Sequence, residues 1–518
     1  MAAITAVSVF AAAGCGQTQS AGGGSDTNTA SDAGGSSSGS GDDNGGSNGS
    51  NGSSSGQGPD GDAGASSGGG DGGASAEGGR ASGPGSDAGT GEGPLPDGAM
   101  AFPAPGSQGV CPDPPLRITF SGQPTLGTSG KIQVFGATGN VVAAVDMAAR
   151  TFSDTIGGTT FNTVRPVYVD GNDTVVVLKS GALAYGQTYS VTVDSGAILG
   201  PGGTPLAIAD KTTWRFTTAA AAPPNLSSLT VALNGTGAFC SVQGAIDALP
   251  AGNTAAAKVT LAAGTYHEIV HFASKNNVTL LGADRKTTII EGTNNNNLNP
   301  TTATRSLVGI DNSSGVVIDT MTIQNLTPQG GSQAEALRMQ SCDKCVVRNA
   351  DVTSLQDTLL WSGRIYAENC TIAGNVDFIW GTGAAYFKSC EIKTLGRAGW
   401  NVQARNGAST YGYVFVDSNL TADPGVTGQG LARIDDGAYP ASHVAYINCT
   451  MGKHIAPAGW TVTGTGNTSQ LRFWEYESVD SSGAPIDVSM RVNGTQISAA
   501  QAMSMRNPTV VLAGWQPP

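Results

Sequence analysis

Two aspartates, Asp357 and Asp377, lie twenty residues apart in near-copied surroundings, SLQDTLLWSGRIYAENCTIAGNVDFIWGTGAAYFKSCEI. The words RIYAENCTI and AAYFKSCEI repeat one another, and their cysteines, Cys370 and Cys390, share that spacing. If the period is one coil of stacked parallel strands, adjacent coils are about 4.8 Å apart and the carboxylates lie side by side. At an effective dielectric of about 20, charges about 5 Å apart repel by roughly 3 kcal/mol. One of the two then keeps its proton. A carboxylate beside a carboxylic acid is a nucleophile or base beside a general acid. Gln356 precedes Asp357, and Gln333 sits in GGSQAEALRM before the previous coil's strand. Uncharged amide donors next to paired acids suit an oxyanion hole, hence acyl transfer. A lone Asp in a turn ordinarily satisfies backbone N–H groups; two at one offset, with adjacent Gln, point to chemistry instead. The four histidines accompany no serine-nucleophile motif, since GSSSG at 52–56 matches only by composition.

Stacked coils must position these groups. From Leu226 the words VVIDTMTI, CVVRNADV, IYAENCTI, AYFKSCEI, YVFVDSNL and VAYINCTM recur, ending on Ile323, Val352, Ile372, Ile392, Leu420 and Met451. Such loose periods without helical heptads predict a parallel β-helix whose insertions enter loops; an antiparallel sandwich fits less well. Asp357 and Asp377 each stand five residues after a ladder residue, at one azimuth. The same count from Ile392 reaches Arg397, a candidate cation for the column. The amphipathic stretch 242–251 predicts a helix covering the first coil.

The 518-residue chain is too long for one ordinary domain. Its formal net charge is −13. Residues 16–110 are nearly all Gly, Ser, Ala, Asp and Asn, carrying nine Asp and two Glu against one Arg. That composition predicts a disordered linker and makes the acidity largely a linker property. No basic patch suggests nucleic acid. Residues 111–219 alternate short strands, such as RITF, KIQVF and TYSVTVD, with turns, predicting a β-sandwich. The words CPDPPLRITFSG and WRFTT resemble a bacterial Ig-like domain, expected to serve as spacer or weak anchor with no catalytic part. Cys342 and Cys345 lack the partners of a zinc site. Cys370 and Cys390 are read either as a disulfide or as free core thiols.

Residues 226–516 resemble a pectin methylesterase, through LNGTGAFCSVQGAIDALP, GTYHEIV, VTLLGADRKTTIIEG, SQAEALR, LQDTLL, GNVDFIWG, HIAPAGW and FWEY. The resemblance implies an all-β chain: a right-handed parallel β-helix catalytic domain preceded by the Ig-like sandwich and the linker. It implies Asp377 as nucleophile, Asp357 as general acid/base, and Gln356 and Gln333 as oxyanion donors. The family's catalytic arginine maps to Arg433 in LARID, where Asp435 replaces the family's sugar-lining Trp. Tyr439, Trp361 or Trp400 would then replace the stacking surface. Phe378 is expected to bend toward the cleft and Trp380 to enter the core. The implied activity is hydrolysis of C6 methyl esters of polygalacturonate in esterified pectin, without cofactor or metal; separately, a monomer is expected. A lyase on the same fold and a non-catalytic polysaccharide-gripping surface protein are the competing readings; the QDTL–VDF pairing disfavours both.

The leader AITAVSVFAAAGCGQ resembles a lipoprotein signal over residues 1–15, with Cys15 as the lipidated residue. It predicts export, with either a membrane tether through Cys15 at the bacterial envelope or free secretion.

Overall fold

The computed structural model describes residues 91–518. Cys15, the leader and the linker up to residue 90 lie outside the described residues. Among the described residues, no helix is long and apolar enough to cross a membrane.

The sandwich begins earlier than residue 111. Strands Gly93–Pro94 and Met100–Phe102 pair antiparallel and continue through Leu116–Thr119 and Asp173–Val176 to Val167–Asp170. Leu95, Ala101 and Phe102 are buried in its core. The expected linker boundary at 110 is therefore too late: a few apolar residues between prolines and glycines suffice for edge strands. The facing sheet is built around Thr188–Leu199, flanked by Lys131–Phe135 and Pro205–Ile208. A separate hairpin, Thr151–Ile156 with Thr159–Val164, leaves the sandwich body. Its Ile156 and Phe161 pack into the core of the next domain.

That next domain is a right-handed parallel β-helix. Its strands form a 17-stranded and an 8-stranded parallel sheet. In the smaller sheet Ile323, Val352, Ile372, Ile392, Leu420 and Met451 pair in unbroken register, so the ladder read from the sequence is the inward-facing stack. Three residues before each rung stands a residue with positive φ: Thr320, Asn349, Asn369, Ser389, Asp417 and Asn448. These corners are mostly Asn or Asp, whose short polar side chains tolerate the left-handed conformation. Asn369 Nδ2 donates to Asn349 Oδ1 at 2.8 Å, linking two corners.

The interior is filled by matched layers. Phe387, Phe415 and Tyr446 share one register and stack at centroid distances of 4.4 and 4.8 Å. Trp361 stacks on Phe387 at 5.3 Å. Helix Val242–Asp247, capped by the Ser241 hydroxyl, covers the first coil with Val242, Ala245 and Ile246; it is shorter than the stretch 242–251. Cys370 and Cys390 are free thiols inside the stack. The disulfide instead joins Cys111 of the sandwich to Cys240 of the β-helix. Phe415→Ala is expected to destabilise by about 3–5 kcal/mol, as buried aromatic truncations do. Chemical denaturation, read as a lower midpoint, measures it.

Candidate active site

Both aspartates occupy left-handed corners, at φ 64° for Asp357 and 47° for Asp377. Such corners recur along the coils, and Asp tolerates them through its short polar side chain. Gln356 bridges Val376, and Leu359 pairs with Ile379, so Asp357 and Asp377 stand at one register position on adjacent coils. They are 8% and 6% exposed, which makes their charges expensive unless paired.

Each acid has its own cation. Arg433, from strand Gly430–Asp435, donates Nε to Asp377 Oδ1 at 2.8 Å and Oδ2 at 3.0 Å, and its Nη2 also bonds Oδ2. Its guanidinium lies 4.4 Å from the Trp400 ring centroid, and Trp400 is fixed through Nε1 to Thr461 Oγ1 at 3.0 Å. Gln403 Nε2 approaches Asp377 Oδ2 at 3.4 Å. Asp357 Oδ2 accepts from Arg305 Nη2 at 3.0 Å. That guanidinium is shared with fully buried Glu335, at 2.7–3.0 Å.

The two environments weigh on the acids unequally. Burial pushes the Asp357 carboxyl well above the ordinary carboxylate range; Glu335 adds to the rise and Arg305 opposes it. Burial also raises Asp377, against the hydrogen bonds and charge of Arg433. A bidentate guanidinium favours the ionised form. Burial thus raises both carboxyls, and the opposing arginine is undivided at Asp377 but shared with Glu335 at Asp357.

Gln333 and Gln356 are both partly exposed. The Gln333 carbonyl oxygen of the side chain accepts from Ser332 Oγ at 2.9 Å. Neither side-chain amide donates to a protein group among the described residues, leaving these N–H groups for a ligand.

The aromatic expectations need correction. Trp361 is fully buried and stacked in the interior, so it cannot contact substrate. Phe378 is likewise fully buried. A register shift between Val376 and Ile379 places both Phe378 and Ile379 in the core. Trp380 instead takes the outward position, with Arg405 at 4.5 Å and Arg305 at 5.6 Å from its ring. The bulge breaks the alternation on which the sequence reading relied. Tyr439 is half-buried on the rim, 5.6 Å from Arg405. Asp435 is exposed and accepts the N–H of Gly437 at 2.9 Å, so it shapes the turn that carries Tyr439. Arg397 lies before strand Trp400–Ala404 and is not the cation of the column; the longer third coil displaces the five-residue count.

Arg305, Glu335, Gln403 and Arg405 were missed by sequence reasoning. Glu335 was visible two residues after Gln333, and Gln403 and Arg405 on the coil after Asp377. Arg305 follows a long polar loop with no repeat to align it.

The family model for pectinesterase matches residues 228–510, and that for a bacterial Ig-like domain matches 96–218. Pectinesterase 31 of Arabidopsis thaliana is 30% identical over 260 residues, which is 48% of this chain and 80% of that protein. Probable pectinesterase A of Aspergillus niger is 30% identical over 280 residues, covering 52% and 83%. The solved pectin methylesterase from carrot superposes with TM-score 0.50 at 26% identity, covering 57% of this chain and 94% of its own.

Glu335→Gln removes a charge that raises Asp357 and leaves Arg305 to pair with Asp357 alone. The Asp357 carboxyl is therefore expected to titrate at lower pH in the variant than in wild type, as a side-chain NMR titration would reveal.

Proposed function

The chain belongs to the pectinesterase family and is a pectin methylesterase, and we propose that it works through an aspartyl acyl-enzyme formed on Asp377. The observation that carries this reading is the bidentate grip of Arg433 on Asp377 beside Asp357, a buried carboxyl in the same register whose pKa burial raises. Ionised Asp377 attacks the ester carbonyl carbon, and the oxygen takes up negative charge. The free amide N–H groups of Gln333 and Gln356 donate to that oxygen. Collapse breaks the C–O bond to the methyl group's oxygen, which takes the Asp357 proton and departs as methanol. Asp357, now ionised, deprotonates a water that attacks the acyl carbon and releases Asp377, recovering its own proton in doing so.

Arg433 orients Asp377 and favours its ionised form, while Trp400 stiffens Arg433 from beneath. Tyr439 and the exposed side of Trp400 are the sugar-facing surfaces in this reading, taking the place of the Trp that Asp435 replaces. Esterified pectin is the substrate, and the enzyme acts as a monomer. An exported location is supported by the Cys111–Cys240 disulfide, since such bonds persist in oxidising compartments. In this reading lipidated Cys15 tethers it to the bacterial envelope; cell fractionation of wild type against Cys15→Ala separates tethering from free secretion.

Asp377→Asn is expected to abolish methanol release from esterified pectin, because an amide forms no acyl-enzyme, and Asp357→Asn to cripple turnover. Wild-type release by Asp377→Asn sinks the mechanism. Gln356→Ala should cost about 2.7–4 kcal/mol in transition-state stabilisation, read from kcat. An effect confined to KM would make Gln356 a substrate-positioning group only.

A further inference from the structure

The Ig-like domain does not merely precede the enzyme; its hairpin reaches the loop that carries Arg305. Phe161 is 1% exposed, sits in the β-helix core and meets His271 edge-on at 5.7 Å. The neighbouring Asn162 points its backbone out of the hairpin. Its N–H donates to Asn299 Oδ1 at 2.8 Å, and its carbonyl accepts from Asn299 Nδ2 at 2.8 Å. Asn162 Nδ2 also donates to the Leu298 carbonyl at 3.1 Å.

The chain of contacts continues inward. Asn299 Nδ2 donates to Asn294 Oδ1 at 2.8 Å. Asn294 Nδ2 in turn donates to the carbonyls of Thr304 and Ser306, at 2.8 and 2.7 Å. These are the residues on either side of Arg305. Asn294 and Asn299 are 0% and 4% exposed, so water cannot easily replace the amides. The same loop touches the oxyanion side: Asn296 N donates to the Gln333 carbonyl at 2.9 Å, and Asn296 Oδ1 accepts from Arg305 Nη1 at 3.3 Å.

We propose that Asn162 is a positioning residue for the esterase reaction, acting from the Ig-like domain through Asn299 and Asn294 to set Arg305 against Asp357. This rests on the assignment of Asp357 as the proton donor. A hydrogen-bonded relay of buried amides has few alternative arrangements, so loosening one end misplaces the other. Elsewhere the interface is held by the Cys111–Cys240 disulfide, Asp113 and the Tyr168–His267 contact, around a cavity of about 640 Å³ lined by residues such as Val142, Phe152 and Leu326. Restraint is thus concentrated at contact points, of which the hairpin is the one that bears on the Arg305 loop.

The test uses the full chain. Asn162→Pro deletes the N–H aimed at Asn299, and Asn299→Ala breaks the relay from the loop side. Each is expected to lower kcat on esterified pectin roughly tenfold or more, the scale on which small misplacements act, with KM changed less than about twofold. The limb of kcat/KM set by Asp357, which faces Arg305, Glu335, Asp377 and Arg405, should move to higher pH as the Arg305 restraint loosens. General unfolding would reduce active enzyme without moving that limb. Wild-type kcat and pH profile in Asn162→Pro and Asn299→Ala overturn the proposal, and do so even if proline unravels the hairpin, since the contact is then lost anyway. If Asp357→Asn is inactive while both variants behave as wild type, only the positioning role falls. Activity retained by Asp357→Asn instead removes the assignment on which it rests.

Discussion

Parallel strands stacked in register force like groups to sit about 4.8 Å apart, coil upon coil. In the core this repetition stabilises: aromatic rings stack on aromatic rings and aliphatic rungs on aliphatic rungs. At the active site the same constraint sets Asp357 on Asp377, an arrangement that opposes two negative charges. The surrounding groups follow from that opposition. One acid receives a full bidentate arginine; the other receives an arginine already committed to Glu335. Compensation is therefore unequal for two chemically identical side chains, and environment rather than residue type distinguishes them.

The corners give this placement its precision. Asp357 and Asp377 both adopt positive φ, continuing the use of Asn, Ser and Asp at the turns that precede each rung. A register shift at Asp377 then reassigns the side chains that follow, sending Phe378 inward and Trp380 outward. Trp380 has both Arg305 and Arg405 near its ring, so its indole contacts two cations near the acids. Asp435 is exposed in the turn that carries Tyr439, while the Trp400 ring lies against Arg433.

The Ig-like domain is tied to the β-helix by a disulfide, by Asp113 accepting the N–H groups of Cys240 and Ser241 at 2.9 Å, and by the hairpin contacts. Closing a loop spanning 129 residues constrains the unfolded chain by about 4–5 kcal/mol in the chain-entropy picture. Tyr168 against His267, at 3.9 Å, adds a contact near the first coil. These attachments make the sandwich part of the folded enzyme's framework, whereas its sequence suggested a spacer.

The sequence by itself determined the β-helix, its inward ladder from Ile323 to Met451, and the pairing of Asp357 with Asp377. Those features repeat along the chain, and a period survives without knowledge of what lies across the fold. The glutamines drew notice by standing beside the paired acids, and Arg433, which the structure sets against Asp377, by standing in a word shared with a family. Tertiary structure decided what no period encodes. The partnership of Arg305 with Glu335 and Asp357 spans an irregular polar loop. The inversion of Phe378 and Trp380 depends on a local bulge, and the choice of Cys111 and Cys240 over Cys370 and Cys390 depends on how two domains meet. Local alternation and spacing report which face a residue should take; only the packed backbone determines where that alternation breaks and which distant group answers a buried charge.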